Sequence, residues 1–222
     1  STTYHYFKYE PIKWRVLSVN GNDAFLLADK GLDDQRYNTS YTSVTWETAT
    51  IRSWLNGYSA SSNDCGTDYT GKNFLDTAFG SSEQRAIKTT AVINDDSIKY
   101  GTNGGNNTND KIFLLSESEV YTDSATSYGF DSDYRESDKA RRSKSSTYCK
   151  AMGTSLDYLG NCGWWLRSPG HDANNVASVD CDGYVYGYGY VVGYGNNYAV
   201  RPALHLNLSS SNLYSYAGTV CS

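Results

Sequence analysis

Residues 182–197 read DGYVYGYGYVVGYGNN, with five tyrosines and five glycines in sixteen positions. On composition alone that bias marks a flexible linker. The valines argue otherwise. Val179, Val185, Val191 and Val200 recur at intervals of six, six and nine residues. Apolar anchors at that pace, with Tyr, Asn and Gly between them, predict short β-segments that display side chains on one side. Strand alternation puts Tyr184, Tyr186 and Tyr188 on one face, opposite Val185. Asp182-Gly183 reads as a hairpin turn and not as part of a calcium loop, because the other EF-hand ligands are missing.

Working outward, "GWWLRSP" (163–169) is a strand stopped by Pro169, and "AVRPALHLNL" (199–208) is a core strand alternating Leu204, Leu206 and Leu208. Both are expected in one small, twisted antiparallel sheet that fixes the two ends of the stretch. Arg167 and Arg201 interrupt apolar runs, so each needs a carboxylate or backbone carbonyls. Trp14, Trp46, Trp54, Trp165, Leu166, Leu204 and Leu206 are the expected core. "IKWRVLSV" and "AFLLA", joined by "NGND", read as a hairpin. "TWETATIRSWLNGY" (45–58) reads as one amphipathic helix capped by Thr45 and ended by Gly57. A short helix and a second one capped by Ser81 or Ser82 follow in 73–90. Ser116 and Glu119 form an S-x-x-E cap after "KIFLL". "RESDKARRSKSSTY" (135–148) reads as a polar helix with Arg141, Arg142 and Lys144 on a solvated face. The fold class is therefore α+β, a single domain over 1–222 with a few helices, much loop and a flexible tail at 210–222.

Composition narrows the function. A net charge of −5 argues against nucleic acid, because neutralising phosphates takes a basic face. The longest apolar runs are too short to cross a bilayer, so no direct membrane insertion is expected. The chain begins at Ser1 and reads as a mature or excised piece of something longer, a domain expected to be monomeric. Five cysteines show no CxxC spacing. Cys149 and Cys162 either close one loop, worth ~3 kcal/mol in the chain-entropy model, or remain buried free thiols. There is no G-x-S-x-G elbow, H-E-x-x-H or P-loop. His5, His171 and His205 are scattered, and the adjacent acids Asp33/Asp34 and Asp95/Asp96 read as solvated. Neither catalysis, a cofactor nor a metal is expected.

The frame "WWLRSPG…A…V…DG.V…G..V…VRPALHLNLS", with "FKYEPIKWRVLS", "TWETATIRSWLNG" and "TNDKIFLLSESEV", resembles a family of domains on surface proteins of gut bacteria. That family is related to the formylglycine-generating-enzyme branch of the C-type lectin fold. The resemblance covers about Phe7 to Ser209. It implies that fold, an extracellular location on a bacterial surface, and a stretch between the "RSP" and "RPAL" strands that a diversity-generating retroelement can rewrite at adenines. Randomised asparagine codons cannot yield Trp, Met, Lys, Glu or Gln, and none of these occurs from His171 to Asn197. The closely spaced cysteine pair of the branch's catalytic members is not matched, since Cys181 stands alone. The Glu-Pro-Asn or Gln-Pro-Asp loop of calcium-dependent lectins is also missing.

Tyrosine offers a large amphipathic contact area with few rotatable bonds, and Ser, Gly and Asn offer adaptable hydrogen bonding. The expected ligand-binding residues within 171–198 are His171, Asp172, Asn174, Asn175, Ser178, Asp180, Asp182, Tyr184, Tyr186, Tyr188, Tyr190, Tyr194, Asn196, Asn197 and Tyr198. Val176, Val179, Val185, Val191 and Val200 are expected to point inward. The partner is expected to be a protein or a glycan on another cell or host surface. A structural adhesin module, or a glycan-binding domain whose stretch is not diversified, is the alternative.

Overall fold

The computed structural model describes residues 7, 10–133, 137–193 and 198–210. Nine strands carry its two main sheets. They are β1 (Trp14–Asn20), β2 (Asp23–Ala28), β3 (Asp33–Asp34), β4 (Ile112–Phe113), β5 (Trp164–Pro169), β6 (Asn175–Val179), β7 (Val185–Val191), β8 (Ala199–Val200) and β9 (Ala203–Asn207). One sheet has the order β1-β2-β9-β4 and is antiparallel throughout. The other has the order β7-β6-β5-β8-β3, antiparallel except where β8 runs parallel to β5. Two smaller sheets join Lys30–Gly31 to Ser143–Ser145 and Asn161–Cys162, and Thr90–Val92 to Thr108–Asp110. Six short α-helices complete the described residues: α1 (Thr50–Asn56), α2 (Phe74–Ala78), α3 (Ser81–Ala86), α4 (Glu117–Tyr121), α5 (Asp123–Thr126) and α6 (Thr147–Met152). The fold is mixed α+β, with small sheets, few helices and long loops.

The expected single strand over 199–208 divides between the two sheets. β8 hydrogen-bonds beside β5, and β9 lies between β2 and β4. The crossing is Arg201-Pro202, and proline has no N–H to continue a ladder. Arg201 is the pin. Its Nε donates to the Ala28 carbonyl (2.8 Å) and its Nη1 to the Arg141 carbonyl (3.3 Å), and its guanidinium lies 4.9 Å from the Trp164 ring centre. Arg167 is held as expected, by the Leu114 carbonyl (2.7 Å), the Glu119 carboxylate (2.5 Å) and the Ile93 carbonyl (3.0 Å). Trp164, Trp165, Val185 and Val200 from one sheet join Phe25, Leu27, Phe113 and Leu204 from the other in one apolar cluster. Trp46, Trp165, Leu166 and Leu204 are buried, whereas Trp14, Trp54 and Leu206 are only half-buried at its margin.

Local signals held to varying degrees. Ser116 and Glu119 form the reciprocal cap of α4, Ser116 Oγ accepting from the Glu119 N–H and Glu119 Oε2 from the Ser116 N–H. The helix expected over 45–58 breaks at extended Ala49 into a 3₁₀ turn (Trp46–Thr48) and α1, ended by left-handed Gly57. Thr45 makes no side-chain cap. Instead Asn38 Oδ1, distant in sequence, accepts the Thr50 N–H at 3.1 Å. The N-cap of α3 is Gly80, one residue earlier than expected, with its N–H on Glu83 Oε2. The polar helix expected at 135–148 is not formed by its described residues, which run through a turn into Ser143–Ser145 before α6 begins. Arg141, expected on a solvated face, is completely buried and donates to the carbonyls of Gly183, Asp131, Asp133 and Val120. Asp33 and Asp34, expected in water, are buried in β3, where Asp34 Oδ2 accepts from Thr154 Oγ1 at 2.7 Å. Cys65, Cys149, Cys162 and Cys181 are free thiols. His5, Cys221 and the tail beyond residue 210 lie outside the described residues.

Candidate functional site

β6 and β7 are joined by the expected Asp182-Gly183 turn. Asp180 N–H donates to the Tyr184 carbonyl (2.8 Å), and Gly183 adopts a φ of 89°. β7 is an edge strand and carries the tyrosines. Its register against β6 slips, since Ser178 pairs with Tyr186 and Val176 with Tyr190, so extra residues on β7 bulge between those pairs. Glycine makes the bulge feasible. Gly189 has a φ of 82°, and a Cβ there would lie 2.7 Å from the Val176 carbonyl oxygen. A Cβ at Gly187 would lie 2.5 Å from Glu117 Oε1. The alternation of Tyr and Gly is thus partly a packing requirement.

The rings form a continuous chain. His171 stacks on Tyr188 with centroids 3.6 Å apart, and Tyr100 meets Tyr188 edge-on at 5.8 Å. Tyr186 lies 6.2 Å from Tyr188 and 4.7 Å from Tyr190. Tyr190 lies 4.9 Å from Tyr198, whose ring packs at 4.7 Å on buried Trp165. Tyr188 and Tyr190 are 45% and 39% exposed, so the outer links are open to solvent while the last is anchored in the core. Asn175 Nδ2 and His171 Nδ1 approach to 2.7 Å, and Asp172 Oδ2 lies 2.8 Å from His171 Nε2. These contacts fix the imidazole against Tyr188.

The remaining expected residues divide by role. Asp172 is exposed and Asn174, half-buried, donates to the Tyr41 hydroxyl at 2.7 Å. Tyr184 is half-buried at the hairpin end. Asn175 and Ser178, expected on the displayed face, are instead buried. β6 is covered on both sides, and the Ser178 hydroxyl has no partner among the described residues. Asp182 tightens the turn, accepting from the Tyr184 N–H and from Ser137 Oγ, both at 2.9 Å. Asp180 accepts the Tyr198 hydroxyl at 2.7 Å, and burial raises both groups above their ordinary ionisation range. Tyr198, expected to be displayed, is therefore largely scaffold. Val176, Val179, Val185 and Val200 are buried as expected. Val191 is only half-buried, and Val192 takes the inward position after the bulge. Tyr194, Asn196 and Asn197 lie outside the described residues.

Beside the tyrosines lies a cleft of about 440 Å³ between β7, α4 and residues 98–100. Tyr100, Tyr121, Tyr184, Tyr186 and Tyr188 line it with Glu117. Glu117 is 1% exposed, and burial pushes its carboxyl up to about 7 against the opposing Ile98 N–H bond. Sequence reading missed Glu117 and Tyr100. Glu117 sits inside the S-x-x-E capping turn and reads as part of it, and only the fold brings either residue to β7.

No helix among the described residues is long and apolar enough to cross a membrane, and no cluster there could hold a metal ion. The family model described as Domain of unknown function (DUF6273) matches residues 21–208. No curated protein and no solved structure matches the chain.

Proposed function

The chain belongs to the DUF6273 family, and we propose that this member is a non-catalytic ligand-binding domain displayed at a bacterial cell surface. It takes the C-type-lectin-like architecture of the formylglycine-generating-enzyme branch and recognises a protein or glycan ligand on another cell or host surface. The observation that carries this reading is the unbroken aromatic chain from Tyr100 and His171 through Tyr188, Tyr186 and Tyr190, open to solvent yet fastened to Trp165 through Tyr198. Rings held in place in the free domain lose little conformational freedom on binding, which favours recognition by tyrosine. Diversification belongs to the same proposal. It would act on Tyr186, Tyr188 and Tyr190 and spare Gly187 and Gly189, whose missing side chains the packing requires.

The test is a labelled domain on arrays of glycans and extracellular proteins, beside the triple variant Tyr186→Ser/Tyr188→Ser/Tyr190→Ser. Tyr188 and Tyr190 are exposed, where substitutions usually change stability by less than about 0.5 kcal/mol, and Tyr186 is half-buried, so the variant is expected to melt somewhat lower and still cooperatively. A specific array signal lost in the folded variant supports the reading. An equal signal from both proteins moves recognition to another surface and leaves the stretch as scaffold.

A further inference from the structure

The cleft beside β7 has a composition that a general contact surface does not need. Five tyrosines from three separate segments line it, Tyr100, Tyr121 of α4, and Tyr184, Tyr186 and Tyr188 of the hairpin, beside Ile98, Lys99 and Val185. A single carboxylate, Glu117, shares this lining although it is almost fully buried. Burying an acid is costly, and that cost usually persists where the charge has a task. Gly187 leaves the space that Glu117 Oε1 occupies, so strand and carboxylate fit one another. One lining ring already carries a cation, since Lys99 Nζ, itself part of the lining, lies 5.3 Å from the Tyr100 ring centre. Aromatic faces attract organic cations through the ring quadrupole, most strongly where water is excluded.

We propose that this cleft binds an organic ammonium group, held on tyrosine faces with Glu117 as counter-charge. The inference rests on the reading of the tyrosine face as a binding surface and specifies what one part of that surface takes. Two sources share the chemistry. One is a free quaternary amine of choline size, which the volume admits, and the other is a lysine-type side chain of a macromolecular ligand. A neutral sugar gains nothing from a buried carboxylate, and an entering ammonium takes the place that the Lys99 ammonium holds on Tyr100.

The experiment is an NMR titration of the ¹⁵N-labelled domain at pH 8, above the value of about 7 to which burial raises the Glu117 carboxyl. The probes are choline, its neutral isostere 3,3-dimethylbutan-1-ol, and a short peptide carrying trimethyllysine. Choline or the peptide should shift the amides of Tyr100, Gly187 and Tyr188 saturably, with the neutral isostere at least about tenfold weaker. Glu117→Gln, checked for a cooperative melt, should lose about tenfold for the cations and little for the isostere. If Glu117→Gln does not fold, Tyr186→Ser replaces it and should weaken both cations. A tighter peptide assigns the site to a side chain, and tighter choline assigns it to a free amine. Equal binding of choline and its isostere, no saturation by either cation, or undiminished cation binding by the folded variant would overturn the proposal. An array signal from a parent domain that binds neither cation defeats this inference alone. Cation binding without any array signal defeats the broader reading instead.

Discussion

Gly187 and Gly189 look interchangeable in the sequence, and their surroundings differ. Gly187 faces the end of a glutamate side chain. Gly189 faces the backbone of β6 from a left-handed conformation, and neither constraint there can relax by a rotamer change. Gly189→Ala should therefore destabilise the domain by roughly 1–3 kcal/mol, read as a lower midpoint in urea at unchanged slope. An unchanged midpoint would mean that the bulge re-forms elsewhere. Glu117 teaches a related point. Its neighbours Ser116 and Glu119 announce a helix cap, and the residue between them carries the unusual chemistry because Gly187, seventy positions on, meets it. No local pattern encodes that meeting.

Elements were legible where their determinants are local, as with the Ser116 cap, the β1–β2 and β6–β7 hairpins and the stop at Pro169. They were misread where a distant group decides. Asn38 breaks the 45–58 helix by capping Thr50 from outside it. Arg141 reads as solvated because arginines usually are, yet four carbonyls from two loops and α4 enclose it. Arg201 shows what such a residue does. It donates to the carbonyls of Ala28 in β2 and of Arg141 and packs on Trp164 of β5, so Arg201→Ala should cost roughly 2–4 kcal/mol through the lost hydrogen bonds and a cavity beside Trp164. Arg201→Lys should rescue little, because an ammonium lacks the planar fork that reaches both carbonyls while stacking. Thermal melting of the pair checks this, and full rescue by lysine would reduce the role of Arg201 to charge alone.

At the level of the whole molecule, buried acids shape the pH response. Burial raises Glu117 from 4.5 to about 7, and burial with the neighbouring Asp33 charge raises Asp34 from 3.8 to about 6. The folded chain thus holds protons across this window that the unfolded chain has released. The stabilisation from these groups is complete below about pH 4 and is lost as pH rises through 6 to 7. Glu117→Gln cannot ionise, so relative to the parent it should gain roughly 1–3 kcal/mol between pH 5 and pH 8. Urea unfolding at the two pH values measures the gain, and parallel behaviour would place Glu117 in water. The layout of β5 and β8 has a different consequence. Trp164 pairs with Ala199, and the Ala199 N–H reaches the Gly163 carbonyl at 2.8 Å, so the chain departs and returns side by side. Everything between is an excursion whose two ends are already clamped. β5, β6 and Val185 of β7 are part of the packed cluster, so within this excursion it is the outward side chains, Tyr188 and Tyr190 among them, that a substitution reaches without touching the core. The excursion is a hairpin hung from one seam, its inner edge sewn into the core and its outer edge turned to solvent.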